Sequence, residues 1–149
     1  RVCISNLWFD EDISLGEDTL FFARAVKQCP KILILTERFY NYVKYSESAA
    51  HGAMNEKKMT NLLAWNRIEK IYEDNSRILR TVRGAYGRQC AFFLRRMCSS
   101  GDRTEPYYGI CREGVRNNFW DMMADKSVKH RIFYLGMLLA PKLYCRLKG

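Results

Sequence analysis

Five carboxylates crowd into the run FDEDISLGEDTLFF: Asp10, Glu11 and Asp12, then Glu17 and Asp18 five residues further on. No other part of the chain gathers side chains densely enough to suggest catalysis. Acids grouped in this way can take a proton from, or give one to, a reacting hydroxyl. They can equally cap a helix and complement its dipole, or stand in a solvated turn. The cysteines form no competing site. Cys3, Cys29, Cys90, Cys98, Cys111 and Cys145 are scattered without a C-x-x-C pair or a neighbouring histidine to complete a zinc site. They read as free, mostly buried thiols of a reducing cytosol. No glycine-rich phosphate loop, repeat or low-complexity tract is present.

The elements C-terminal to the acids must position them. Residues 18–28, DTLFFARAVKQ, put Leu20, Phe21, Ala25 and Val26 on one side at helical spacing, with Glu17 and Asp18 at the end where the macrodipole favours acid. Pro30 ends that helix. KILILTE is then an apolar run of strand length, and RFYNYVKY alternates aromatic and β-branched residues, so two short strands are expected between Ile32 and Tyr45. After SESAAHGAMN the period becomes 3.6, and Met59, Leu62, Leu63, Ile68, Ile71 and Tyr72 mark a long helix. A second carries Leu79, Val82, Tyr86, Cys90, Phe93 and Met97, leaving Arg77, Arg80, Arg83, Arg88, Arg95 and Arg96 for solvent or an anionic partner; Gly84 and Gly87 are expected to bend it. The loop SSGDRTEP leads to a third helix with the stripe Cys111, Val115, Phe119, Met122 and Met123, and a fourth begins near Ser127, a good N-cap. The apolar centre of this last segment is about nine residues, interrupted by Pro141, where a bilayer span needs about 20.

The order of pieces at the N-terminus resembles a segment of the family 2 glycosyltransferases of the GT-A fold. That family's pattern is an aromatic-acid pair, a short loop, Gly-Glu-Asp-Thr, a helix rich in Leu and Phe, a strand, an aromatic Tyr-x-Tyr strand and a serine-containing loop. The corresponding pieces here are Phe9 to Glu11, Gly16 to Thr19, Leu20 to Gln28, Ile32 to Leu35, Tyr40 to Tyr42 and Ser46 to Ser48. The match covers about the first 50 residues and keeps order and spacing. It implies an α/β, Rossmann-like parent fold, with this chain mainly α plus a small β element. Residues 1–54 would be the C-terminal part of the catalytic domain and residues 55–149 a basic helical extension.

The resemblance further implies an inverting transferase that moves a sugar from a nucleoside-diphosphate donor to an acceptor hydroxyl, in synthesis of a bacterial cell-surface polysaccharide or lipopolysaccharide. The acceptor hydroxyl loses its proton as it attacks an oxocarbenium-like carbon, so a carboxylate within hydrogen-bond reach acts as general base. Asp18 matches the family's base. Glu17 would orient the acceptor or brace the loop, or only cap the helix. Trp8 and Phe9 offer an acceptor platform, or simply pack. His51 would close over the diphosphate, or is a surface histidine in a loop. The family's Asp-x-Asp motif, which holds Mg²⁺ or Mn²⁺ on the diphosphate, belongs to an upstream half that this chain lacks. Asp10-Glu11-Asp12 spells D-x-D but stands where the family binds no metal, so no residue of this chain is assigned as a metal ligand. The chain, which opens at Arg1 without a leader, is expected to be a piece of something longer and inactive alone.

Charge divides the chain. Residues 1–48 hold six Lys/Arg against seven Asp/Glu, a balance of −1, and the rest holds nineteen against nine, or +10. Six Lys/Arg occur from Lys126 onward, with no acid after Asp125. Together with Ile132, Phe133, Leu135, Met137, Leu138 and Leu139 they suit an anionic membrane surface on the cytoplasmic side, where a glycan or lipid-linked acceptor would lie, as well as a helical bundle with a solvated face. The alternative function is a basic helical module for nucleic acid or another anionic partner, with Tyr107 and Tyr108 as stacking groups. No helix-turn-helix, zinc-finger or RNA-binding signature accompanies the charge, and the acidic motif has no use there, so nucleic acid is not the expected partner.

Overall fold

The structure, a computed structural model, describes residues 6–37, 54–100 and 106–148. Seven helices occur among them: α1 (Glu17–Gln28), α2 (Glu56–Ile71), α3 (Ser76–Ser100), α4 (Tyr107–Asn117), α5 (Phe119–Met122), α6 (Val128–Leu139) and α7 (Pro141–Lys148). Local chemistry sets their starts. Asn55 Oδ1 accepts from Lys58 N at 3.0 Å to cap α2, and Asn75 Oδ1 accepts from Ile78 N at 3.1 Å at the head of α3. Ser127 caps α6, and Pro141 occupies the first position of α7, where its missing N–H costs nothing.

The third helix is the hub, packing against α2, α4, α5, α6 and α7. Its buried stripe of Val82, Cys90, Phe93, Leu94 and Met97 matches the periodicity of the sequence. Gly84 and Gly87 let α5 approach, because a Cβ on Gly84 would lie 2.8 Å from the Asp121 carbonyl oxygen and one on Gly87 2.6 Å from Met122 Sδ. The larger core joins Leu62 of α2 and Cys90, Phe93, Leu94 and Met97 of α3 to Cys111, Val115, Met122, Tyr134 and Met137. A second cluster packs Ile13, Leu20 and Ala23 onto Ala64, Ile68, Tyr72 and Val82. The acidic N-terminal segment is thus seated on α2 and α3, and the buried Tyr72 hydroxyl donates to the Ala23 carbonyl at 2.9 Å.

The structure corrects the expected fold class. No strand occurs among the described residues, which are helical rather than part of an α/β, Rossmann-like sheet with a small β element. Residues 31–36 have no regular structure, and Leu33 and Ile34 are 82% and 85% exposed. An apolar run becomes a buried strand only where neighbours pair its backbone and cover its faces, and none of the described residues does either. The second expected strand, with Tyr40 and Tyr42, lies outside the described residues. Among the described residues six helices come after Asn55, rather than three or four. The expected third helix breaks at Asn118, whose Nδ2 donates to the Gly114 carbonyl at 2.8 Å, and the fourth breaks between Leu139 and Pro141.

Candidate functional site

Gly16 turns the chain into α1 from the left-handed region, at φ 90° and ψ 9°, and its carbonyl accepts the first helical bond from Leu20 N at 3.0 Å. The turn lies tight against α2, since a Cβ on Gly16 would stand 2.6 Å from Asn61 Nδ2. Just before it, the Ser14 and Leu15 amides both donate to Thr60 Oγ1, at 3.0 and 3.1 Å. Thr60 sends its own hydroxyl proton to the Lys57 carbonyl at 2.6 Å, which frees its oxygen to accept. Asn61 Oδ1 is buried and finds no hydrogen-bond partner among the described residues.

Two arginines anchor the front of the loop. Asp10 is paired with Arg24 of α1 and Arg67 of α2, and Arg67 also grips Asp12. Hydrogen bonds from Arg24, ahead of those from Arg67, hold the Asp10 carboxyl below the usual carboxylate range against the opposing effect of burial. Arg67 does the same for Asp12. The D-x-D carboxylates are therefore spent on guanidinium groups. They do not fit a divalent cation, and no cluster of three metal-ligating side chains occurs among the described residues.

On this base the Glu-Asp pair is held at the start of α1. Glu17 is half-buried; Asp18 is exposed. The Thr19 amide and hydroxyl both donate to Asp18 Oδ1, at 2.6 and 3.2 Å, an arrangement that fixes the carboxylate and in which Oδ2 takes no part. Phe21 and Phe22 come three and four residues after Asp18, so they share its side of the helix. Phe9 stacks on Phe21 with ring centroids 4.6 Å apart and planes 14° apart, while Phe22 and Trp8 remain largely exposed, Trp8 by 80%. An exposed carboxylate beside apolar rings can accept hydrogen bonds from a hydroxyl while the rings pack against C–H groups.

Of the residues predicted from sequence, Glu17, Asp18 and Phe9 are brought to one helix start. Trp8 is the neighbour of Phe9 in the same loop, and His51 lies outside the described residues. Sequence reasoning missed Arg24, Arg67, Thr60 and Asn61, which act across α1 and α2 and carry no local signal. It also missed the place of Phe21 and Phe22, which their spacing from Asp18 contained.

A cleft of about 850 Å³ lies elsewhere, along Arg77, Arg80 and Arg88 of α3, with Asp121, Asp125 and Lys126 opposite. Its acids are engaged: Asp121 faces Arg80 at 3.4 Å, and Asp125 accepts from Ser127 N at 2.8 Å and from the Tyr134 hydroxyl at 3.0 Å. No Glu17 or Asp18 atom lines it, so it is separate from the acidic site. No family model, curated protein or solved structure matches the chain.

Proposed function

We propose that this chain is the acceptor-side part of an inverting glycosyltransferase, which moves a sugar from a nucleoside-diphosphate donor to a hydroxyl in a bacterial cell-surface polysaccharide or lipopolysaccharide. The observation that carries the reading is the exposed Asp18 carboxylate, fixed by Thr19 at the start of α1 beside the Phe9–Phe21 stack. Asp18 accepts the proton of the attacking hydroxyl, its free Oδ2 being the atom available to it. Glu17, half-buried behind it, orients the acceptor or braces the turn. The rings of Phe9 and Phe22 and the indole of Trp8 give the acceptor sugar an apolar surface, and His51 is assigned to closing over the diphosphate.

The resemblance of the Gly16-to-Thr19 motif to that family supports this reading, while the strand that the family's order places at Ile32 to Leu35 is irregular here and lends it nothing. Donor-binding residues and the ligands of Mg²⁺ or Mn²⁺ are assigned to residues outside this chain, so the 149 residues alone are expected to be inactive. The proposed location is cytoplasmic, at the inner face of the cell membrane. Among the described residues no helix is long and apolar enough to cross a membrane.

The test uses the longer enzyme with a panel of nucleotide sugars. Asp18→Asn keeps the size of the side chain and removes the base, so turnover is expected to fall by about 10²- to 10⁴-fold with donor affinity little changed. Near-normal turnover of that variant on its natural acceptor would show that Asp18 is not the base.

A further inference from the structure

Helix α6 leaves an apolar stripe uncovered, and α7 exposes two leucines. On α6, Val128, Ile132, Leu135 and Leu139 are exposed, Val128 by 66% and Leu139 by 68%. At about 100° per residue these four fall within an arc of about 60°. The buried Tyr134 and Met137 point the opposite way, into the core. Lys129 and Arg131, both exposed, stand on either side of the stripe. On α7 the exposed Leu143 and Leu147 are one helical turn apart, and exposed Lys142 and Arg146 each precede one of them. Gly136, which has no side chain to meet the Tyr144 ring, lets α7 close against α6.

We infer that the exposed apolar stripe of α6 docks in the interfacial plane of an anionic lipid bilayer, with the exposed leucines of α7 adding apolar surface. Aliphatic side chains enter the acyl boundary, and the flanking Lys and Arg reach the headgroups. The inference rests on the membrane-side location proposed above and is independent of the sugar-transfer chemistry. Charge selects the occupant. From Lys126 to Gly149 the chain has six Lys/Arg and no acid, so a second copy meeting this face symmetrically would set cations against cations. An anionic lipid surface complements both the charges and the apolar stripe at once. The assignment differs from hydrophobicity alone: Met137 is buried and Phe133 and Leu138 are half-buried, so they belong to the core rather than to the lipid face.

The experiment is co-sedimentation of the 149-residue chain with vesicles of phosphatidylcholine alone, or mixed with phosphatidylglycerol, at low and high salt. Binding is expected only with phosphatidylglycerol present. Lys129→Gln with Arg131→Gln should lower it by more than tenfold, at about fivefold per basic residue, and high salt should act in the same direction. Ile132→Ser with Leu139→Ser should lower it at least tenfold while thermal unfolding stays unchanged, because both positions are exposed. Asp18→Asn should bind as the parent does, so failure of docking and failure of the transferase reading appear separately. Equal partition onto both vesicle types, indifference to the Ile132/Leu139 change, or a dimer in sedimentation velocity that this change dissolves would each overturn the inference.

Discussion

Arg67 forks across Asp12, with Nη1 2.9 Å from Oδ1 and Nη2 2.6 Å from Oδ2, while Nη1 also reaches Asp10. Because Arg67 lies in α2 and Arg24 in α1, the carboxyl of Asp10 ties both helices to the loop that delivers Glu17 and Asp18. Bidentate geometry supplies direction as well as charge, which a lysine in the same place would not.

Replacing Arg67 by Met leaves Asp10 with one arginine instead of two. Asp10 is largely buried and Arg67 half-buried, so the expected loss is on the order of 1–2 kcal/mol, or a melting temperature lower by a few degrees. The pH dependence comes from the depressed titration of both carboxyls that Arg67 holds, Asp12 and Asp10. A carboxyl held below its unfolded value adds stability that is complete above the ordinary range near about 4, and loses it as pH falls through the depressed value. The gap between parent and Arg67→Met should therefore be full at pH 7 and shrink below about pH 4. Melting curves across that range check it, and a gap that widened in acid would contradict the pairing.

Gly16→Ala tests the turn. Its φ of 90° disfavours any Cβ by about 1–2 kcal/mol, and the added methyl would press on Asn61 Nδ2. Asn61 packs its buried Oδ1 without a hydrogen-bond partner among the described residues, and the Ala64 Cβ lies 3.4 Å from the same added methyl. The variant should melt several degrees lower, and if Asp18 is the base of a transferase it should lose turnover as well, because the same turn leads into Asp18. Loss of stability with fully retained turnover would mean that the turn does not position the base.

Gly114→Ala tests the seam between α3 and α4. A methyl there falls on the buried Cys90 Sγ and within 2.9 Å of Tyr86 Cε1. Overpacking of this kind costs about 1–3 kcal/mol. Cys90→Ala on top of Gly114→Ala should restore part of the loss by vacating the space, a compensation that a double-mutant cycle in chemical denaturation measures.

Helices whose apolar residues form one stripe were legible in the sequence. The α3 stripe, the acidic start of α1 and the Ser127 cap reappear, because helical periodicity and end chemistry are local, whereas the α2 stripe reappears only in part: Leu62, Ile68 and Tyr72 are buried, but Leu63 is exposed and Ala64 takes an inward place. Two things were not. Ile32 to Leu35 reads as a strand by composition, but a strand depends on partners that local sequence does not contain, and the described segment is irregular and exposed. On α6 nearly every residue from Ile132 to Leu139 is apolar, so periodicity does not say that Met137 faces the core and Ile132 the outside. At the site, the Glu-Asp pair was visible, whereas the Arg24–Asp10–Arg67 clamp joins positions up to 57 residues apart and exists only once α1 and α2 have packed.

The acids of this one loop are expected to separate into two roles. Asp10→Asn keeps the shape but removes the charge that both Arg24 and Arg67 bind, so it should lower stability and leave two guanidinium groups without their shared carboxylate. Asp18→Asn removes an exposed carboxylate whose hydrogen bonds come from its own neighbour Thr19, so the folded state has little to lose. If Asp18 takes the acceptor's proton, its variant should melt within about 0.5 kcal/mol of the parent in stability while turnover falls by orders of magnitude. Asp10→Asn should show the reverse: a lower melting temperature, and turnover that returns toward normal when the assay is cooled well below that temperature. Measuring melting and turnover on the same two variants of the longer enzyme separates the roles, since a loop that served only to support α1 would leave the chemical step of Asp18→Asn unchanged.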